Sequence, residues 1–334
     1  PSIMPGGSYI AWNATKKMLR KIAAKDKNNN PCCQIIGLDG SGHYVKMVHN
    51  GIEYAIMQIL AESYDVQKNI CNMDNNEIYT VMEKWANNGL RSYLLDITLK
   101  LLVLKDQDEN MILDTILDCS SQKGTGKETL ISSLELGIPS TLISSAVNAR
   151  YISSLLEDRE ELSSIYVKDI QSIDNKEEFL DDLYEAVYVS VMLSYIQGFN
   201  LIRKASFDNN WNINLQNVAN VWKAGCVIES EMLDDLSDII SSSTKENILL
   251  DEKIVNIIKD KENGFRSSIS NIIQYGMSIP VLSTAISYFD GMRSKRTPAN
   301  LIQAQRDYFG YHGFEKVDQP RGQIFHLGIN NEYI

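Results

Sequence analysis

The run Gly42-His43-Tyr44-Val45-Lys46-Met47-Val48-His49-Asn50-Gly51-Ile52-Glu53-Tyr54 sets a lysine, a histidine, an amide, a carboxylate and a phenol at helical intervals. With Lys46 as i, the residues His49, Asn50, Glu53 and Tyr54 fall at i+3, i+4, i+7 and i+8, one face of an α-helix over two turns. Val45, Val48, Ile52, Ile56 and Ile59 take the opposite side. The plain alternative is an amphipathic surface helix with a solvated Lys-Glu face. Its composition argues otherwise: a solvated face repeats Glu and Lys, whereas this stripe supplies the base, acid and polar groups of a site. A lysine serves as a base only when its pKa falls from about 10.4, through burial or a neighbouring positive charge. Gly51 costs a helix about 1 kcal/mol relative to Ala, which suits a place where something approaches closely.

A second segment, Gln122-Lys123-Gly124-Thr125-Gly126-Lys127-Glu128-Thr129, gathers glycine, lysine and hydroxyl just before a helical pattern. Its backbone N–H groups and lysines could cradle a phosphate, although such a loop is more often a simple helix start. It is not a Walker A loop, because Glu128 stands where Ser or Thr must follow Gly-Lys and Ser121 where the first Gly should be. Gly37-Leu38-Asp39-Gly40-Ser41-Gly42 fails the G-x-G-x-x-G order, so the chain carries no dinucleotide fingerprint. The third segment, Asn300 to Gly313, holds Arg306 and His312 nearly two helical turns apart, with Gly310 ending a helix between them. The plain reading of Arg306 is a surface pair with Asp307 or another nearby acid. His43, His49, His312 and His326 form no H-x-x-x-H or similar pair, so no metal is expected. No G-x-S-x-G or other nucleophile motif supports a covalent hydrolase.

The elements that must position these residues are nearly all helices. Helical periodicity runs over 11–25, 43–70, 75–105, 108–118, 127–136, 139–158, 178–206, 214–241, 251–275, 279–292 and 298–311. Cys32 to Leu38 reads as a strand after an Asn-rich turn, Ser163 to Lys176 as a polar connection, and Thr297-Pro298 as an N-cap with Pro at the first helical position. After Phe314 the glycines and Pro320 mark an extended tail that needs something to pack on. At 334 residues and 44 % hydrophobic, the chain can build a large core. Net charge of −11 argues against a broad nucleic-acid surface, and no apolar stretch approaches the roughly 20 residues of a membrane span. Five scattered cysteines without C-x-x-C spacing fit a reducing cytosol better than a disulfide framework, so a cytoplasmic location is expected. The chain opens on Pro1 rather than Met, so residues upstream are expected to be missing.

The Gly42–Tyr54 run, the Gln-Lys-Gly-Thr-Gly-Lys loop and Asn300-Leu301-Ile302-Gln303-Ala304-Gln305-Arg306-Asp307-Tyr308-Phe309-Gly310 resemble, in order and at similar intervals, the signature segments of 6-phosphogluconate dehydrogenases. The resemblance extends from Met4-Pro5-Gly6-Gly7 through Pro31-Cys32-Cys33 to the tail. It implies a mainly α fold, the large helical domain of that family preceded by the end of a Rossmann-type α/β domain. Residues 1–38 would be the remnant of the NADP-binding domain, 39–313 the substrate-binding and dimerisation domain, and 314–334 a tail packing on the partner of a homodimer. The family's glycine-rich coenzyme turn and its Ser-Gly-Gly segment are absent, which implies that this stretch alone is inactive and that most of the NADP site lies elsewhere.

Carried over by resemblance, Lys46 is the general base and Glu53 the acid of an oxidative decarboxylation of 6-phosphogluconate to ribulose 5-phosphate. His49 and Asn50 would bind the carboxylate end and hydroxyls, and Tyr54, Lys123, Thr125 and Arg150 the phosphate end. Arg306 and His312 would complete the site from the partner subunit. Glu128 replaces a tryptophan of the family, Asn148 an aromatic, and Tyr311 and Gly313 flank His312 unusually. Two other readings stand beside this one. A related 3-hydroxyacid dehydrogenase would share a lysine and an asparagine on one helix but lack the phosphate-binding set, and a non-catalytic dimeric phosphosugar-binding module would need no coenzyme.

Overall fold

The computed structural model describes residues 1–167, 173, 175–243 and 245–328. Its helices are α1 Tyr9–Ile22, α2 Ser41–Asn69, α3 Asn75–Trp85, α4 Tyr93–Leu102, α5 Ile112–Thr115, α6 Thr125–Glu135 and α7 Thr141–Ser153. They continue with α8 Leu156–Ile165, α9 Lys176–Asp208, α10 Leu215–Trp222, α11 Met232–Ser242, α12 Glu252–Gln274, α13 Pro280–Arg293 and α14 Ala299–Gly310. Two compact units are present, Pro1–Ile286 and Ser287–Ile334, the division falling within α13.

In the first unit α9 is the central post, packed by α2 and α12. It is buried on every side from Val187 to Phe199 except at Tyr188, as a helix in the middle of a core must be. The crossing with α2 is close because Gly198 has no side chain: a Cβ there would lie 2.4 Å from Ile52 Cδ1. α6 and α7 cover another side of α2. Half the site helix is therefore core, with Val45, Val48, Ile52 and Ile59 fully buried. That burial fixes which way the polar stripe faces.

Several expected elements differ. The strand over Cys32–Leu38 is reduced to single parallel bridges, Ile3 with Cys33 and Gly6 with Gly37. The ladder breaks because Cys33 turns its N–H back to the Pro31 carbonyl at 2.7 Å, and the partner segment contains Pro5, which has no N–H to donate. The helix expected over 75–105 ends in a π-turn at Ala86–Leu90, where Gly89 takes a φ of 94°. Ser92 then caps α4, its hydroxyl accepting from Leu95 N–H at 3.2 Å. The pattern over 214–241 divides at Gly225, whose φ is 76°, and that over 139–158 divides after Ser153. Of 108–118 only Ile112–Thr115 is helical, because Asp106 turns the chain by accepting from Asp108 and Asn110 N–H groups. The helix expected from 127 begins earlier, at Thr125. Pro298 itself occupies the N-cap of α14 rather than its first helical position. Part of the polar connection is helical in α8, and positions 168–172 and 174 lie outside the described residues.

In the second unit, Tyr311 closes α14 in the left-handed region with φ 52°. As far as residue 328 the tail is more ordered than its glycines suggest, since Phe314 and Phe325 exchange N–H···O bonds of 2.9 and 2.8 Å; positions 329–334 lie outside the described residues. Asp307, buried at 4 % exposure, holds the turn by accepting from Gly313 N–H, Leu327 N–H and His326 Nδ1.

Candidate functional site

The structure brings Lys46, His49, Asn50 and Glu53 together on α2 as their spacing requires. Lys46 Nζ lies 3.0 Å from His49 Nδ1, and the same ring nitrogen lies 3.0 Å from Asn50 Oδ1. Glu53 Oε2 is 4.0 Å from it, beyond hydrogen-bond reach. Lys46 is an exposed residue, yet packing around its ammonium lowers its pKa from the ordinary lysine value, an effect that outweighs the opposing pull of Glu53. Burial moves Glu53 the other way, upward, against the lowering influence of Lys46 and Arg150. His49 has no exposed surface, and burial, followed by the Lys46 charge, pulls it down to about 3, so at neutral pH the ring is uncharged. A lysine displaced toward its free amine and a glutamic acid displaced toward its protonated form can serve as a base and an acid on one helix face. Their Cα atoms are roughly 10 Å apart along the axis, so the two side chains can reach different atoms of one small substrate.

Tyr54 joins this helix to the glycine-lysine loop. Its ring lies against Gly126, where an added Cβ would come within 2.6 Å of two ring carbons. Arg150 of α7 also packs on this ring, the guanidinium carbon 3.5 Å from the ring centroid. Gly124, at φ 95°, turns the chain into α6, and Thr125 is the first residue of that helix. The N–H groups of that first turn, with exposed Lys123 beside them, are of the kind that can receive an anion. Gly51 meets α6 as well: a Cβ would fall 2.7 Å from Thr129 Cγ2. Sequence reasoning missed Thr129, whose hydroxyl donates to the Met47 carbonyl at 2.8 Å and ties α6 to the site helix. It also missed Trp222, whose ring packs edge-on to His49 at 5.8 Å. The only sequence signal for the first was Gly51 itself, a helix-interior glycine that needs a neighbour.

Arg306 and His312 belong to the second unit. Arg306 does not pair with Asp307, which is taken by the tail; it donates to Gln303 Oε1 at 3.2 Å and is otherwise exposed. His312 is exposed and packs on Phe309 at 6.1 Å. Of the unusual positions, Glu128 and Asn148 are exposed on α6 and α7, and Tyr311 stacks on His326 with ring centroids 3.6 Å apart.

These residues do not by themselves fit NADP. Gly6, Gly37 and Gly42 look like a nucleotide turn in composition, but the chain fills the space beside each. A Cβ would meet Gly42 N at 2.6 Å, Trp211 O at 2.5 Å and Met4 O at 2.1 Å respectively. These glycines let backbone segments touch and leave no cradle for a pyrophosphate. Among the described residues, no helix is long and apolar enough to cross a membrane.

A family model described as 6-phosphogluconate dehydrogenase, C-terminal domain, matches residues 42–328. The chain belongs to the 6-phosphogluconate dehydrogenase family. A decarboxylating 6-phosphogluconate dehydrogenase of Aggregatibacter actinomycetemcomitans is 42 % identical over 328 residues, covering 98 % of this chain and 68 % of the relative. That of Rattus norvegicus is 42 % identical over 329 residues with the same coverage. The solved 6-phosphogluconate dehydrogenase of Plasmodium falciparum, studied free, with its cofactor NADP+ and with its substrate 6-phosphogluconate, superposes with a TM-score of 0.93. It is 38 % identical and covers 98 % of this chain, which spans 70 % of its length. The mainly helical 6-phosphogluconate dehydrogenase fold expected from the signature segments is therefore the fold observed.

Proposed function

We propose that this chain carries the substrate side of an NADP-dependent 6-phosphogluconate dehydrogenase, which oxidises and decarboxylates 6-phosphogluconate to ribulose 5-phosphate and carbon dioxide. The observation that carries the reading is the opposed displacement of two proton affinities on one face of α2, Lys46 downward and Glu53 upward. Lys46 as free amine takes the proton of the 3-hydroxyl while C3 is oxidised. The resulting ammonium then stabilises the enolate oxygen as carbon dioxide leaves the 3-keto acid. Glu53, protonated, gives its proton to C1 of the enediol. Asn50 holds the carboxylate end and hydroxyls, His49, which has no exposed surface, stands behind it without touching the substrate, and Tyr54, Lys123, Thr125 and Arg150 hold the phosphate. Local gathering of cations is how a chain of net charge −11 binds a multiply charged anion.

Residues 1–38 are assigned to the end of the coenzyme domain, 39–313 to the substrate and dimerisation domain, and 314–334 to a tail that packs on a partner. Arg306 and His312 serve the partner's site in a homodimer. Supporting this, Leu301, Ile302 and Phe309 of α14 are 57–64 % exposed, an apolar surface that association would cover. The five unbridged cysteines suit the cytosol. Neither a 3-hydroxyacid dehydrogenase without a phosphate site nor a non-catalytic module has an observation of its own in its favour.

Calorimetric titration of the chain with 6-phosphogluconate and with gluconate tests the phosphate assignment. Arg150→Ala should weaken 6-phosphogluconate by about ten- to a hundredfold and leave gluconate unchanged. Equal loss for both ligands would refute it.

A further inference from the structure

The two short contacts at His49 Nδ1 are chemically restrictive. An imidazole nitrogen carries either one proton or one lone pair, and an amide oxygen can only accept. With the Asn50 amide turned so that Oδ1 faces it at 3.0 Å, Nδ1 carries the proton. Lys46 Nζ, also 3.0 Å from Nδ1, can share that N–H only through a lone pair, which an ammonium does not have. His49 Nε2 points the same way: it is buried with no hydrogen-bond partner, and an orphaned lone pair is tolerated better than an orphaned N–H.

We propose that His49 is a positioning residue: its Nδ1–H tautomer, fixed by the Asn50 oxygen, donates to the Lys46 amine and holds that nitrogen as a free base between turnovers. This rests on the reading of Lys46 as the general base. When Lys46 takes the 3-hydroxyl proton, its lone pair is consumed and the bond to His49 is lost. The ammonium is then released toward the developing enolate oxygen, the ring keeps its own proton throughout, and Asn50 keeps its donor. Binding and release of the base thus alternate without any protonation of the histidine.

The groups around this exchange leave the Nδ1–H to Asn50 and Lys46, although the Glu53 charge favours the ammonium form of Lys46. On α2 itself Glu53 lies 4.0 Å from Nδ1, outside hydrogen-bond reach. From the segment after α10, Cys226 faces Lys46, and burial pushes its thiol up to about 12, so it stays uncharged. Its neighbour from α9, Tyr195, is fully buried and displaced upward. From α10 the Trp222 ring brings no charge, and from α7 Arg150 acts on Glu53.

Nitrogen-15 spectra of the histidine-labelled chain, with His49 assigned by its loss in a His49→Asn variant, give the tautomer directly. The expected result is a protonated Nδ1 and an unprotonated Nε2 across neutral and alkaline pH. A protonated Nε2 overturns the proposal while leaving Lys46 free to be the base. In the enzyme carrying its coenzyme domain, His49→Leu should move the acid limb of the kcat/KM profile up by about one unit, roughly tenfold in rate on that limb. His49→Asn, whose amide N–H stands near the Nδ1–H position, should restore it. An unmoved limb in His49→Leu, or equal shifts in both variants, also overturns it; a purely structural role would change affinity or folding without separating the two substitutions. Failure of Lys46 itself to act as base shows separately, as turnover that survives its replacement.

Discussion

Single residues in this chain are tuned by where they are buried. Glu62, two and a half turns beyond Glu53 on α2, is 3 % exposed and accepts from the N–H groups of Val281 and Leu282 at 2.9 and 3.0 Å, capping α13. Burial raises it from 4.5 to about 7 despite those bonds. Since the folded pKa lies above the unfolded one, the folded state binds the extra proton between these values. The stability it contributes is full below about 4.5 and is lost as pH rises through 7, an effect on the order of 3 kcal/mol. Glu62→Gln should therefore flatten the decline in urea midpoint between about pH 5 and pH 8. An identical decline in the variant would show that Glu62 does not titrate there. His49 acts with the opposite sign: its folded pKa of about 3 lies below 6.5, so its stability contribution is lost as pH falls from 6.5 toward 3.

Helices are held at the site distance by glycines on both sides of the α2–α6 contact, Gly51 against Thr129 and Gly126 against the Tyr54 ring. Gly126→Ala should cost about 1–3 kcal/mol by overpacking and weaken 6-phosphogluconate by moving Tyr54 and the start of α6. Unchanged stability and affinity in that variant would mean the two helices can separate freely. At this scale the sequence is uneven as a guide. The stripe on α2 was legible because helical spacing is local, and three i+3 or i+4 steps suffice to place four side chains. The breaks at Gly89 and Gly225 were written in glycine but masked by continuing apolar periodicity. Thr129 and Trp222 were illegible because their roles depend on contacts across 82 and 173 positions, which no periodicity reports. Asp307 reads as a partner for Arg306 until the tail returns and claims its oxygens.

The proposed function requires the whole molecule to combine this site with a coenzyme and a second subunit. If Arg306 serves the partner's Lys46, refolding an equal mixture of nearly inactive Lys46→Met and Arg306→Ala enzymes, each with its coenzyme domain, should restore about a quarter of the active sites. Half the dimers are mixed, and one site in each is whole. Activity no higher than the mean of the parents, with mixed dimers verified by mass, would place each site within one subunit. The claim beneath all of these is that Lys46 is the base. It is tested most directly by turnover of the Lys46→Met enzyme, with 6-phosphogluconate affinity followed by calorimetry on the same sample. Loss of base chemistry should lower kcat by at least about 10²- to 10⁴-fold, with affinity changed by less than about tenfold because most anion contacts remain. Undiminished kcat in a correctly folded Lys46→Met enzyme would contradict it.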